Sequence, residues 1–182
     1  MIMKILETAL PGCLLIEQPQ FNDNRGCFRE LYVQQRYQAA GITEPLLQDN
    51  LSLSGKGVIR GMHFQRQQPQ GKLVTVLSGK IYDVMVDIRP TSRTFGQWQA
   101  IELSAELPQQ LWIPPGFAHG FQALADNSLV FYKTSSYYNA QDEGAFNAFD
   151  PQLNIPWPVK EAVLSGKDSQ APAFQQVFNR GR

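Results

Sequence analysis

The chain has only two histidines, His63 and His119, and only two cysteines, Cys13 and Cys27. Two histidines cannot build, within one chain, the three- or four-histidine metal site common in all-β barrels, and no CxxC-like spacing offers thiolate ligands instead. A carboxylate-rich site stays open on this count alone. A chain of 182 residues does not need a disulfide to hold its core, so two free thiols in a reducing compartment are the simpler reading. Excess charge of either sign is missing as well, since sixteen basic residues balance sixteen acidic ones. Without a broad basic field there is no footprint for duplex nucleic acid, and an anionic ligand must be held by a few local cations. No apolar run reaches membrane-spanning length. Met1-Ile2-Met3-Lys4-Ile5 lacks the apolar stretch of a signal peptide, so the expected location is the cytoplasm, away from any membrane. Glycine-rich phosphate loops of the dinucleotide or Walker kind are absent, and so is a GxSxG elbow. With no repeat, low-complexity tract or linker, one domain over residues 1–182 is expected.

What is present reads as many short strands. Apolar residues make up 43% of the chain and charged residues 18%, a globular composition. Strands are expected at Leu14-Leu15-Ile16, Cys27 to Tyr32, Val58 to Gln65, Lys72 to Leu77, Ile81 to Ile88, Gln97 to Leu103, Gln110 to Ile113, His119 to Ala125, and Leu129 to Tyr138. Turn signals separate them, such as Gly55-Lys56-Gly57, Pro114-Pro115-Gly116 and Asp126-Asn127. Ser78-Gly79-Lys80 reads as the turn of a hairpin between the strands on either side of it. Along Ile81 to Ile88, Tyr82, Val84, Val86 and Ile88 share one face, and Asp83, Met85 and Asp87 the other. Val33 to Ala40 reads as a helix capped by Gly41, and a short helix is expected at Lys160 to Leu164. Regular strands without a strand–helix alternation define an all-β sandwich or barrel with a few short helices.

The chemistry concentrates in Arg60-Gly61-Met62-His63-Phe64-Gln65 and Gly71-Lys72-Leu73-Val74. A histidine, an arginine and a lysine flanked by apolar residues suit proton chemistry on an anionic substrate, although an ordinary strand with a basic cluster reads the same way. In a regular strand Arg60 and His63 face opposite sides, and a bulge at Gly61 is the device that would bring them together. A histidine's ordinary pKa of about 6.5 suits proton abstraction near neutral pH, and a carboxylate on its second ring nitrogen would fix the tautomer. Asp168 is a candidate for that role if the tail folds back over the barrel; otherwise it is a loop carboxylate. Lys72 is either an oxyanion stabiliser or an edge-strand lysine. Tyr132 and Tyr138 would share one face of an unbroken strand, as a proton donor and a stacking ring or as core aromatics. Arg60, Gln48 and Asn50 are candidates for phosphate contacts.

In these residues the chain resembles the dTDP-4-dehydrorhamnose 3,5-epimerase family. The resemblance is carried by Asp23-Asn24-Arg25-Gly26-Cys27-Phe28-Arg29-Glu30, Gln48-Asp49-Asn50, the segments around His63 and Lys72, and Pro114 to Phe121. It extends to Tyr132-Lys133-Thr134 with Tyr138, and to Leu164-Ser165-Gly166-Lys167-Asp168. It spans nearly the whole chain in order. It implies a cupin-type jelly roll that acts as a homodimer, without metal or other cofactor, on a dTDP-sugar, dTDP-4-keto-6-deoxy-D-glucose. By this resemblance His63 is the base, paired with Asp168, and Tyr132 is the acid on the opposite face. Lys72 steadies the enolate oxygen. His119 and Arg60 line the sugar–pyrophosphate region with Gln48 and Asn50 nearby, and Tyr138 stacks on the thymine. Arg25 and Glu30 reach the nucleotide from the partner subunit, and Glu143 and Lys167 match binding positions. One departure is a Gln65–Gly71 link shorter than the family's usual one, which bears on where Lys72 sits. A single-centre epimerase would need the same base and acid. A sugar-nucleotide-binding cupin without activity would need neither.

Overall fold

The computed structural model describes residues 3–178; Met1, Ile2 and residues 179–182 of the expected domain lie outside the described residues. In chain order come β1 (Lys4–Glu7), β2 (Leu14–Glu17), β3 (Gln20–Asp23), β4 (Gly26–Arg29), α1 (Gln34–Ala39), β5 (Gln48–Ser54) and β6 (Ile59–Gln65). Then follow β7 (Lys72–Ser78), β8 (Lys80–Asp87), β9 (Trp98–Ser104), β10 (Gln109–Ile113), β11 (Phe117–Ala123), β12 (Ser128–Thr134) and β13 (Glu143–Ala145). Two single-turn helices close the described chain, α2 (Gly166–Ser169) and α3 (Phe174–Val177). One sheet has the order β1-β2-β10-β7-β12-β5 and a second the order β13-β6-β11-β8-β9, while β3 and β4 form a separate hairpin. Every pairing between these strands is antiparallel. The architecture is the expected cupin-type jelly roll.

The inner core lies between the two sheets. Val74, Val76, Leu111 and Val130 from the first meet Ile81, Met85, Phe117 and Phe121 from the second. The face alternation on β8 holds: Met85 points inward, and Val84, Val86 and Ile88 point outward. That outer face is not left to water. The tail covers it with Phe146, Leu153, Ile155 and Phe174, all buried. On the far side Tyr37 and Ile42 of the α1 segment cover Ile16, Leu73 and Trp112. Each such buried side chain contributes about 1.5–3 kcal/mol relative to exposure. Where both faces are covered, as on β8, β10 and β11, the strands read as apolar runs, whereas β5, whose Leu51 and Leu53 are exposed, keeps a clean alternation.

Four local expectations are corrected. β7 and β8 are not a hairpin: β7 pairs with β10 and β12, β8 with β11 and β9. The chain crosses between sheets at Gly79, whose φ is +73 and whose added Cβ would lie 2.6 Å from Ser128 Oγ. A tight glycine turn here serves a sheet change, which local sequence does not distinguish from a hairpin. Residues 160–164 are not helical: the chain bends at Lys160 and Glu161, and Val163 bridges in parallel to Val58. The helix forms a few residues later, where Ser165 caps it by accepting from the Asp168 amide at 3.0 Å. The strand expected to run to Tyr32 ends at Arg29, and the one expected to run to Tyr138 ends at Thr134. Tyr132 and Tyr138 therefore do not share a strand.

Candidate active site

Register decides which side chains meet. On β12 and its neighbours, Tyr132 is opposite Asn50 and Val74, and Thr134 is opposite Gln48 and Lys72. Directly paired residues share a face, so Gln48, Asn50, Tyr132 and Lys72 all project from the inner face of the six-stranded sheet with Val74. On the facing sheet, His63 is opposite His119, and Arg60 is opposite Phe121. Between those two pairs the register shifts, so that Gly61 and Met62 together face Gly120. This is the bulge anticipated at Gly61. Its φ is +138, and an added Cβ would lie 2.5 Å from the Gly120 Cα. The bulge returns Arg60 to the same face as His63, which a regular strand forbids.

The inner faces enclose a cavity of about 580 Å³ lined by Arg60, His63, His119, Lys72, Tyr132 and Asp168, among others. A smaller lobe of about 110 Å³ holds Gln48, Glu143 and Tyr138. Asn50, His63, Lys72 and Tyr132 line both, and so mark the point where the lobes meet. The short Gln65–Gly71 link is tied down by the Asp142 carboxylate, which accepts from the Gln67 and Gln68 amides, and by Ser135 Oγ on the Gly71 amide. It delivers Lys72 to the same cavity as His63.

His63 Nε2 lies 2.6 Å from Asp168 Oδ1, with the side chains 30% and 5% exposed. The tail does fold back: Val163 bonds to Gly57, and the buried Gln122 side chain holds Val159 by both its amide and its carbonyl. Burial works to raise the Asp168 carboxyl, but the His63 contact, with Ser165 and the Gly61 amide, outweighs it and holds it below the usual carboxylate range. An ionised Asp168 places the proton of neutral His63 on Nε2 and leaves Nδ1 as the basic nitrogen. Burial pushes the Tyr132 phenol above its ordinary value, so it stays protonated as a donor. Burial also pushes the Lys72 ammonium down to about 8, with Asp83 and Glu143 pulling it back up.

Other expected residues divide. Arg60 is fixed by Ser54 Oγ and the Leu53 carbonyl, 3.0 and 3.2 Å away. Tyr138 is exposed at the mouth and donates to Glu143 Oε2 at 2.9 Å, and Lys167 pairs with that same oxygen. The Tyr138 amide donates to Gln48 Oε1, which brings the ring to the pocket despite the broken strand. Arg25 and Glu30 are not in the cavity of their own chain. Arg25 pairs with Asp23 at 2.6 Å in the exposed β3–β4 hairpin, and Glu30 with Arg36 at 2.7 Å. Asp83 is a residue that sequence reasoning misses. It is fully buried and its Oδ1 lies 2.5 Å from His119 Nε2. Its one signal is an acid beside the core residue Met85, on a face of β8 that also carries Asp87. Among the described residues no group of three or more His, Cys, Asp or Glu is placed to hold a metal ion, and no helix is long and apolar enough to cross a membrane.

A jelly roll whose two sheets close over a histidine–aspartate pair, a protonated tyrosine and a buried lysine is a cupin-class protein whose pocket holds the groups that acid–base chemistry needs. The family model for dTDP-4-dehydrorhamnose 3,5-epimerase matches residues 7–176, and the chain belongs to that family, which makes it an isomerase. The enzyme of that name from Salmonella typhimurium is 45% identical over 97% of this chain and 98% of its own length. The crystal structure of dTDP-6-deoxy-D-glucose-3,5-epimerase from Legionella pneumophila, in complex with dTDP-4-keto-L-rhamnose, is 46% identical. It covers 94% of this chain and 92% of that one, with a TM-score of 0.91. A 3'-monoepimerase from Streptomyces bikiniensis in complex with dTDP-quinovose is 31% identical, covering 91% of this chain and 85% of that one, with a TM-score of 0.86.

Proposed function

We propose that the chain, as one catalytic domain, inverts C3 and C5 of dTDP-4-keto-6-deoxy-D-glucose to give dTDP-4-keto-L-rhamnose, with no cofactor. One observation carries this reading. His63 with Asp168 and Tyr132 come from opposite sheets into one cavity, so a base and an acid address opposite faces of whatever lies between. Both carbons flank the C4 ketone, which acidifies their protons. His63 Nδ1 takes the proton, and the C–H electron pair moves into the ring as the C4 oxygen becomes an enolate oxygen. Lys72 stabilises that oxygen from a dry site, where a fixed charge is worth most. As the enolate collapses, Tyr132 returns a proton to the carbon from the other face, and the centre is inverted. Proton exchange with solvent through the partly exposed His63 side chain and the pocket mouth then returns the imidazole to its neutral form and the phenolate to a phenol, and repetition at the second carbon completes the product.

Arg60, His119, Gln48, Asn50, Glu143 and Lys167 serve as binding residues, and Tyr138 stacks on the base. Arg25 and Glu30, remote from their own pocket, serve that of the partner subunit in a homodimer. The projecting β3–β4 hairpin, with Phe21 and Phe28 exposed, supports that exchange. Two unbonded cysteines suit the reducing cytoplasm.

The test is incubation with dTDP-4-keto-6-deoxyglucose in D2O followed by NMR of the sugar. Deuterium at both C3 and C5 is expected. Deuterium at one carbon would reassign the chain to the single-centre class that the Streptomyces bikiniensis enzyme represents. Binding without exchange would leave a sugar-nucleotide-binding protein.

A further inference from the structure

Asp83 is fully buried on β8, yet nothing structural accounts for its charge. Its Oδ1 meets His119 Nε2 at 2.5 Å, and its Oδ2 has no hydrogen-bond partner among the described residues. A buried carboxylate is costly unless paired, and an apolar residue beside Met85 would fill the same space at less cost. His119, the one hydrogen-bond partner of its side chain among the described residues, lines the cavity. Phe121 is the register partner of Asp83, and His119 lies two residues away on the same inner face. The pair is thus a second histidine–aspartate unit on the pocket wall, beside the first.

We propose that Asp83 is a positioning residue: it fixes His119 with the proton on Nε2, leaving Nδ1 to accept a hydrogen bond from a sugar hydroxyl, and it supplies the counter-charge for Lys72. This rests on the epimerase reading and assigns a ligand group to His119. A lone pair at Nδ1 selects a hydroxyl donor and disfavours a pyrophosphate oxygen. Burial, the largest influence on His119, lowers its pKa and favours the neutral ring that this tautomer needs. Lys72 faces Asp83 from β8, His119 from β11 and Glu143 from β13, and Tyr132 on β12 with Arg60 and His63 on β6 line the same cavity. Removing the Asp83 charge leaves Glu143 as the remaining anion that holds Lys72 protonated.

Two measurements decide it. The chain has only two histidines, so nitrogen-15 imidazole spectra of His63→Asn show His119 alone. At pH 8, above the ordinary histidine range, they should show a neutral ring protonated at Nε2. A charged ring, or a proton on Nδ1, overturns the proposal, and this readout does not depend on activity. Second, Asp83→Asn should reduce kcat by about 10- to 100-fold, the loss that metal-bound histidines show when their orienting carboxylate is removed. It should leave dTDP affinity within about twofold and move the alkaline limb of the pH–rate profile to lower pH. A merely structural role would lower Tm without moving that limb. If the unmutated chain exchanges deuterium normally and Asp83→Asn keeps its rate and profile, the positioning role fails while the epimerase reading stands. If the unmutated chain exchanges none, the epimerase reading fails, and the His119 spectrum still decides the tautomer.

Discussion

His63 and His119 are direct register partners on β6 and β11, and each meets an aspartate through Nε2, Asp168 at 2.6 Å and Asp83 at 2.5 Å. Their surroundings separate their roles. The His63 side chain is 30% exposed and its aspartate arrives on the C-terminal tail, whereas His119 is 7% exposed and its aspartate is a strand neighbour in the same sheet. A base must meet substrate and exchange protons, and an orienting group must stay still. The open pair suits the first task and the closed pair the second.

His63→Asn removes the basic nitrogen while keeping a polar side chain of smaller volume. Deuterium exchange at C3 and C5 should fall by about 10²–10⁴-fold, the usual worth of a positioned base. Calorimetric affinity for dTDP should stay within about twofold of the parent, because no nucleotide contact is lost. Exchange at near the parent rate would remove His63 from its role.

Tyr132→Phe keeps the ring and deletes the donor from the sheet facing His63. Proton removal should then outlast proton return. The ratio of deuterium incorporated to inverted product should rise by about tenfold or more, since a lost acid costs about 10²-fold or more in the step it serves. Both quantities come from one NMR time course. An unchanged ratio would mean that solvent or another group supplies the proton in the parent.

Much of the fold and pocket is legible in the residues themselves. Strand positions follow from apolar runs and turn residues, and Gly61 in a strand carrying Arg60 and His63 points to a bulge. Other features are hidden for physical reasons. The Ser78-Gly79-Lys80 turn has hairpin chemistry, but which sheet each strand joins is set by long-range pairing with β10, β11 and β12. Asp83 carries no motif, and its meaning comes from a neighbour on another strand, His119. The seating of Asp168 against His63 likewise depends on contacts made by Gln122 and Gly57, far away in sequence.

The bulge is also the most fragile part of the pocket. In Gly61→Ala the added Cβ would press on the Gly120 backbone at 2.5 Å, in a backbone region that side chains rarely adopt. The cost should be at least about 2 kcal/mol, from backbone strain and overpacking together. Urea denaturation measures it as a lower midpoint at unchanged slope. A midpoint equal to the parent's would show that β6 and β11 can separate there at no cost.

Lys72 sets function against stability. Its folded pKa is about 8 against an ordinary 10.5. Between those values the unfolded chain holds a proton that the folded chain has released, so stability rises with pH across that window. Below pH 8 the cost of the buried charge is present in full, on the order of 3 kcal/mol at 1.36 kcal/mol per unit of pKa. The value of about 8 already includes the attraction of Asp83 and Glu143, so losing those attractions adds no separate penalty. Lys72→Met should therefore raise Tm at pH 7, and the gain should shrink as pH climbs from 8 toward 10.5. Activity should move the other way. The parent should lose rate as pH rises through about 8, where the ammonium deprotonates, and the variant should be about 10²–10³-fold slower with no such limb. Paired melts and pH–rate profiles test both halves. A variant that melts below its parent at pH 7 would show that the charge is not a burden, and a retained alkaline limb would show that another group titrates there.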